Sequence, residues 1–482
     1  LHPITRAFGV ALVTGTLVLS VPASGQAAQI SAIDWKPCPQ DVTAECGTLR
    51  LPIDYSKPSG EKFDLAVARR KAANPARRVG VLLVNPGGPG DSGVDMALSL
   101  PPYVGADFRE RFDIVGWDPR GVARSRPVMC STDLLANPPT SYPVNQAEFD
   151  ALGKYNRDLL DDCRRRSGPI ADHADTGANV QDMDAIRRAL GEQKVSYYGM
   201  SYGTLMGQQY AERYGDKIRA MVLDSNMDHS LGTWGFAATA AISAQSSFTE
   251  WVKWCDRTTS CALHGQDVVK VWESLLAKAD RGEVSNPGNP AQKIDARGLA
   301  REALGAFVEP DFGPLAEIIA QLTGQLTGQQ PAKRAAQGEA NAVFHAAFCS
   351  DWSLPVRTFA EYKALEAAET ALAPDLRGVS RGHNVAAACV GLPEKVSNPQ
   401  HRLDIRNAPK ILMLNSLYDP ATPYSWAANA HRQSKDTTVL LTYEGWGHGV
   451  YGRSECTTAS VDTYLTTLKT PKPGARCAPV QP

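Results

Sequence analysis

Short apolar runs alternate with amphipathic stretches through the first half of the chain. Residues 63–69 alternate apolar and polar side chains, the period of a half-buried strand. The run 79–84 is apolar throughout and 112–117 nearly so, as expected for strands covered on both faces. Residues 182–190 carry the 3.6-residue spacing of an amphipathic helix and stop at Gly191. Residues 194–198 read as another strand, 205–214 as a helix and 218–223 as a further strand. Strands that alternate with helices predict a mostly parallel sheet with helices packed on it.

The alternation then stops. From about 228 to 406 no buried strand is legible, and the segment is rich in Ala, Gln, Glu and Lys with scattered aromatics. Residues 237–253, 268–279 and 315–326 read as helices, and the Gly/Asn/Pro-rich stretch 282–290 as a loop. Strand character returns at 410–415 and 437–442. The expected organisation is a signal segment at 1–28, a core at 29–228, a helical cap at 229–406 and the rest of the core at 407–482. No internal repeat is seen, and the Pro-rich tail 471–482 is expected to be loosely ordered apart from Cys477.

Composition narrows the function classes. A formal net charge of −1 over 482 residues provides no global field for nucleic acid. No metal-ligand cluster and no phosphate loop is evident, so no cofactor is expected; Gly87-Gly88-Pro89-Gly90 lacks the Lys-Ser/Thr ending of a P-loop. Arg6, the apolar run 7–21 and the small residues 22–28 form the pattern of an export signal. That apolar run is short for a membrane span, so secretion is expected without stable membrane association. The ten cysteines fit an oxidising compartment. Nearest-neighbour pairing is the expectation, most clearly for Cys38 with Cys46 and Cys255 with Cys261.

Tyr198-Gly199-Met200-Ser201-Tyr202-Gly203 carries the chemistry. It contains G-x-S-x-G between a strand and a helix, where a tight turn holds a serine hydroxyl clear of the backbone. Two rivals lack that setting: Gly378-Val379-Ser380-Arg381-Gly382 follows a loop, and Gly90-Asp91-Ser92-Gly93 follows a Gly/Pro turn. A serine nucleophile needs a base, and the base an orienting carboxylate. Asp419 follows the strand at 410–415, and His448, flanked by Gly447 and Gly449, follows the strand at 437–442. Asp351, Asp404 and Asp436 are the fallback acids. The order Ser201, Asp419, His448 is that of α/β-hydrolases. The glycine turn after 79–84 offers backbone N–H groups for an oxyanion; the expected donors are those of Gly88 and Tyr202.

These motifs resemble a known family. Asn85-Pro86-Gly87-Gly88-Pro89-Gly90 resembles the HGGPG turn of the prolyl aminopeptidase family of α/β-hydrolases, with Pro86 at the His position. Trp117-Asp118-Pro119-Arg120-Gly121-Val122-Ala123-Arg124-Ser125 is similar to that family's D-x-R-G-x-G-x-S segment, with Ala123 in place of a glycine. The elbow, Phe348-Cys349-Ser350-Asp351-Trp352 and the Asp419 and His448 segments resemble the secreted tripeptidyl aminopeptidases of actinobacteria.

The resemblance implies an α/β-hydrolase fold, serine peptidase chemistry and export. A peptidase that measures short peptides, tripeptides in this case, from a free N-terminus needs an anion for the α-ammonium. Asp351 is the first candidate, with Glu309 and Asp311 behind it. The expected location is extracellular, with cell-wall association as a variant. An alternative is a secreted esterase or amide hydrolase acting on a small molecule or natural product, because the same triad serves all of these. A non-catalytic binder on a hydrolase scaffold is disfavoured by the intact Ser201, Asp419 and His448.

Overall fold

The computed structural model describes residues 32–100, 104–286, 289–324 and 343–482. The expected signal at 1–28 lies outside them.

A ten-stranded sheet forms the centre. Its strands are β1 (Lys36–Pro37), β2 (Glu45–Pro52), β3 (Lys62–Arg70), β4 (Gly80–Asn85), β5 (Phe112–Trp117), β6 (Val195–Met200), β7 (Ile218–Asp224), β10 (Ile411–Tyr418), β11 (Thr438–Trp446) and β12 (Arg476–Cys477). The order is β1-β2-β3-β5-β4-β6-β7-β10-β11-β12. β2 and β3 join antiparallel, and β3 runs antiparallel to β5. From β5 to β12 every pairing is parallel. The crossing of β4 and β5 places β6 at the centre, where the elbow emerges.

The strand period distributes side chains to the two faces. Val81 and Leu83 of β4, Tyr197 of β6 and Met221 of β7 enter one core cluster. Leu82 and Val84, Tyr198 and Val222 enter the other. A sheet buried on both faces needs apolar residues at successive positions, which is why β4 reads as a continuous apolar run. Among the described residues no helix is long and apolar enough to cross a membrane.

Between β7 and β10 the regular elements of the described residues are helices, from Thr233–Arg257 to Arg381–Cys389, apart from the short hairpin of β8 (Ser285–Asn286) and β9 (Asn289–Lys293). That hairpin starts within the stretch expected to be a loop. The helices bury a core of their own around Phe248, Trp251, Trp272, Phe307 and Phe312, which Trp446 of β11 joins. The long helix Gln146–Ser167 and the strands β1, β2 and β12 have no counterpart in the sequence reading. In the tail Cys477 is held as expected, by the disulfide Cys456–Cys477, and β12 adds two residues of pairing with β11. All ten cysteines pair with their nearest neighbours, the others as Cys38–Cys46, Cys130–Cys163, Cys255–Cys261 and Cys349–Cys389.

Candidate active site

Ser201 stands between β6 and the helix Tyr202–Tyr214 with φ 57° and ψ −125°. A non-glycine residue adopts positive φ only when its surroundings hold it there. Here its N–H donates to the Asp224 carbonyl at 2.9 Å, and its carbonyl accepts from the Thr204 N–H at 2.9 Å. The turn is crowded by backbone. A Cβ on Gly203 would lie 2.7 Å from Asn85 Oδ1. A Cβ on Gly87, itself at φ 97°, would lie 2.5 Å from the Met200 carbonyl oxygen and 2.7 Å from the Tyr202 nitrogen. The glycine turn after β4 therefore lies directly against the elbow. Gly88 in that turn is solvent-exposed.

Asp419 and His448 meet beside it. His448 Nδ1 donates to Asp419 Oδ2 at 2.9 Å and lies 3.1 Å from Oδ1. The carboxylate is fully buried and also accepts from the N–H groups of Ala421 at 2.8 Å and Thr422 at 2.9 Å, and from the Thr422 hydroxyl at 2.9 Å. Burial alone would raise the Asp419 pKa; the His448 charge and these donors outweigh it and hold the carboxyl below its ordinary value. Burial likewise pushes His448 down, but Asp419 prevails and the imidazole ends above its ordinary value. The Nδ1–H tautomer leaves the Nε2 lone pair to act as a base. No hydrogen bond joins the Ser201 hydroxyl to His448 in this conformation, a common looseness in ligand-free sites.

Asp224, at the end of β7, links the two halves. Besides holding Ser201 through its carbonyl, its carboxylate accepts from the N–H groups of Val450 and Tyr451, each at 2.8 Å, and from the Tyr198 hydroxyl at 2.9 Å. The next residue, Ser225, accepts the Gly449 N–H at 2.8 Å. The elbow and the histidine loop thus hang from one strand end. Sequence reasoning missed this anchor, although a carboxylate closing an apolar strand is a visible signal. On the other side, the His448 N–H donates to the carbonyl of Val308, the last residue of helix Ala296–Val308, at 2.8 Å.

The remaining candidates separate clearly. Asp351 is fully buried. It accepts from the Thr176 N–H at 2.9 Å, the Thr176 hydroxyl at 2.7 Å, Asn398 at 2.6 Å and the Tyr202 hydroxyl. With its lone pairs occupied inside the protein it offers nothing to a substrate ammonium, which corrects the first-ranked expectation. Glu309 is largely exposed and follows Val308, within 3.3 Å of Arg453 Nη2; that guanidinium also donates to the His448 carbonyl at 2.7 Å. Asp311 precedes the helix Phe312–Leu322. Asp404 pairs with Arg406 at the surface, and Asp436 is exposed. The rival serines are both helix N-caps: Ser380 accepts the His383 N–H at 3.1 Å, and Ser92 that of Asp95 at 3.0 Å.

A parallel sheet with a strained serine after its central strand, and an Asp–His pair after the next strands, defines an α/β-hydrolase, and the chain is a serine hydrolase. Residues 375–477 match the family model described as TAP-like protein. The tripeptidyl aminopeptidase of Streptomyces lividans is 29% identical, with 95% of this chain and 88% of that protein covered. Serine protease Hip1 of Mycobacterium tuberculosis is 29% identical, with 97% and 94% covered. Carboxylesterase B of Mycobacterium tuberculosis is 30% identical, with 91% and 87% covered. The chain belongs to this TAP-like family of α/β-hydrolases.

Proposed function

We propose that the protein is an exported serine exopeptidase that releases short peptides, tripeptides foremost, from free N-termini. The observation that carries this reading is the Asp419–His448 pair beside the elbow at Ser201, next to a helical insert able to roof the site. The peptidase names of the Streptomyces lividans relative and of Hip1 support it. Export is supported by the five disulfides, a pattern of oxidising compartments.

His448 takes the proton of Ser201 as its oxygen attacks the peptide carbonyl. The N–H groups of Gly88 and Tyr202 receive the tetrahedral oxyanion. His448 then protonates the departing amine, and water hydrolyses the acyl-enzyme by the reverse transfers while Asp419 holds the tautomer. Glu309 receives the substrate ammonium, being an exposed carboxylate on the segment that touches the histidine loop.

The test is a panel of di-, tri- and tetrapeptide anilides, free or acetylated at the amine, beside 4-nitrophenyl esters. Free tripeptides should be preferred, and Ser201→Ala should lose about three orders of magnitude or more in kcat. Glu309→Gln should raise KM for free-amine substrates and leave acetylated ones unchanged. Equal rates on acetylated and free peptides would remove the exopeptidase reading. The second reading, an esterase, is favoured by the 30% identity to Carboxylesterase B; turnover of esters without any peptide cleavage would establish it.

A further inference from the structure

From Gly447 to Gly449 every backbone polar group has a partner. The three N–H groups donate to the Tyr418 carbonyl at 3.2 Å, the Val308 carbonyl at 2.8 Å and the Ser225 hydroxyl at 2.8 Å. The three carbonyls are held by side chains alone. The Ser416 hydroxyl donates to that of Gly447, and Arg453 takes the two that follow. Its Nη2–H donates to the His448 carbonyl at 2.7 Å and its Nε–H to the Gly449 carbonyl at 2.8 Å. One guanidinium thus spans the peptide unit between His448 and Gly449. Arg453 sits in the turn just before helix Glu455–Thr467, so it folds the histidine loop back on itself.

This loop has little else to set its course. Gly447 and Gly449, on either side of His448, adopt φ 90° and 80°. Glycines in the left-handed region have no side chain to pack, so the path there is fixed through polar backbone groups. A guanidinium carries its donors in a rigid fork and suits two acceptors at a set spacing. A Cβ on Gly447 would lie 3.0 Å from Arg453 Nη2 and 2.7 Å from Pro310 Cδ, so the fork is lodged between the loop and the insert. Glu309 Oε2, 3.3 Å from Nη2, meets it from the insert side. With the Arg453 side chain only 21% exposed, solvent is a poor substitute for its donors.

We propose that Arg453 is a positioning residue for the reaction at Ser201: by holding the carbonyls of His448 and Gly449 it keeps the imidazole aligned with Asp419. It touches neither the imidazole nor the reacting serine, and acts through the backbone that carries the base. The inference rests on the reading of His448 as that base and is independent of the substrate class.

The experiment compares Arg453→Ala and Arg453→Lys with the wild type on whichever of the peptide anilides or 4-nitrophenyl esters the enzyme turns over. Arg453→Ala should lose about 10- to 100-fold in kcat, the effect of roughly 1 Å of misplacement, with KM little changed. Because Asp419 holds the His448 pKa up, a loosened loop should also let the acid limb of kcat/KM move to lower pH. A mere staple of the loop would lower the urea midpoint and leave that limb in place. Guanidinium ion, below denaturing concentration, should restore part of the activity of Arg453→Ala. Arg453→Lys keeps the charge without the fork and should regain only part of the kcat. His448→Ala is the control for the base: if it keeps wild-type rates, that reading fails by itself and the inference falls with it. An Arg453→Ala enzyme with wild-type kcat, or with a loss that neither moves the limb nor responds to guanidinium, overturns the proposal.

Discussion

The Tyr202 hydroxyl donates to Asp351, so the residue that follows the candidate nucleophile is fastened to the helix Val343–Asp351 of the insert. Asp351 also holds both the N–H and the hydroxyl of Thr176, at the start of helix Thr176–Ala189. One carboxylate thus ties insert, elbow and core together. Its pKa is pushed well above the usual carboxylate range by burial, with Asp175 adding to the effect. Asp351→Ala leaves several buried donors unpaired and should cost about 3 kcal/mol or more, read as a lower urea midpoint. Tyr202→Phe removes one of them and should cost about 1 kcal/mol. Neither change should discriminate free-amine from acetylated substrates, which an ammonium-binding role for Asp351 would require.

The pH dependence follows from His448. As the proposed base it must be neutral, and its pKa lies above the ordinary value of 6.5 because Asp419 outweighs burial. Activity should therefore fall as pH drops through a point above 6.5 and rise toward alkaline pH. Asp419→Asn removes the stabilising charge, so the acid limb of the residual activity should move to lower pH. A kcat/KM profile with an unmoved limb in that variant would assign the titration to another group.

Gly87 offers a backbone test. With a Cβ at 2.5 Å from the Met200 carbonyl oxygen, Gly87→Ala must displace either the glycine turn or the elbow. Its φ of 97° adds strain. A displacement of about 1 Å at the reacting atoms costs on the order of 100-fold in rate. Fluorophosphonate labelling of Ser201 should slow by a comparable factor, while far-UV circular dichroism should show an intact sheet.

Ala123 stands where the resembling family has glycine, and it adopts φ 40°. A left-handed backbone costs a non-glycine residue roughly 1–2 kcal/mol, and the extra unfolded freedom of glycine returns only ~0.4–1 kcal/mol. The methyl group is exposed, so little packing is lost. Ala123→Gly should raise unfolding stability by about 0.5–1 kcal/mol, measured in urea, with activity unchanged.

The parallel strands and the elbow were legible because their signals are local. β5 lies at the residues its apolar run marks, and β6 leads into Ser201 as its composition suggests. β2 escaped because among its eight residues only Leu49 and Leu51 are buried, too few to set a period. The helix Gln146–Ser167 escaped because its buried positions include Asn156 and Asp162 among many charges. Asp351 was misjudged for a different reason. Its partners Thr176, Tyr202 and Asn398 come from three distant parts of the chain, and no pattern near residue 351 announces them.

The junction at Asp224 and Ser225 lies upstream of the insert, yet it fixes the loop carrying His448 far downstream. The candidate nucleophile and the candidate base thus share one anchor that precedes the inserted helices in the chain, while the Val308 carbonyl ties the His448 loop to the insert as well. Changes to the insert therefore reach the histidine loop through the Val308 contact, while the strand end at Asp224 keeps a second, independent hold on it.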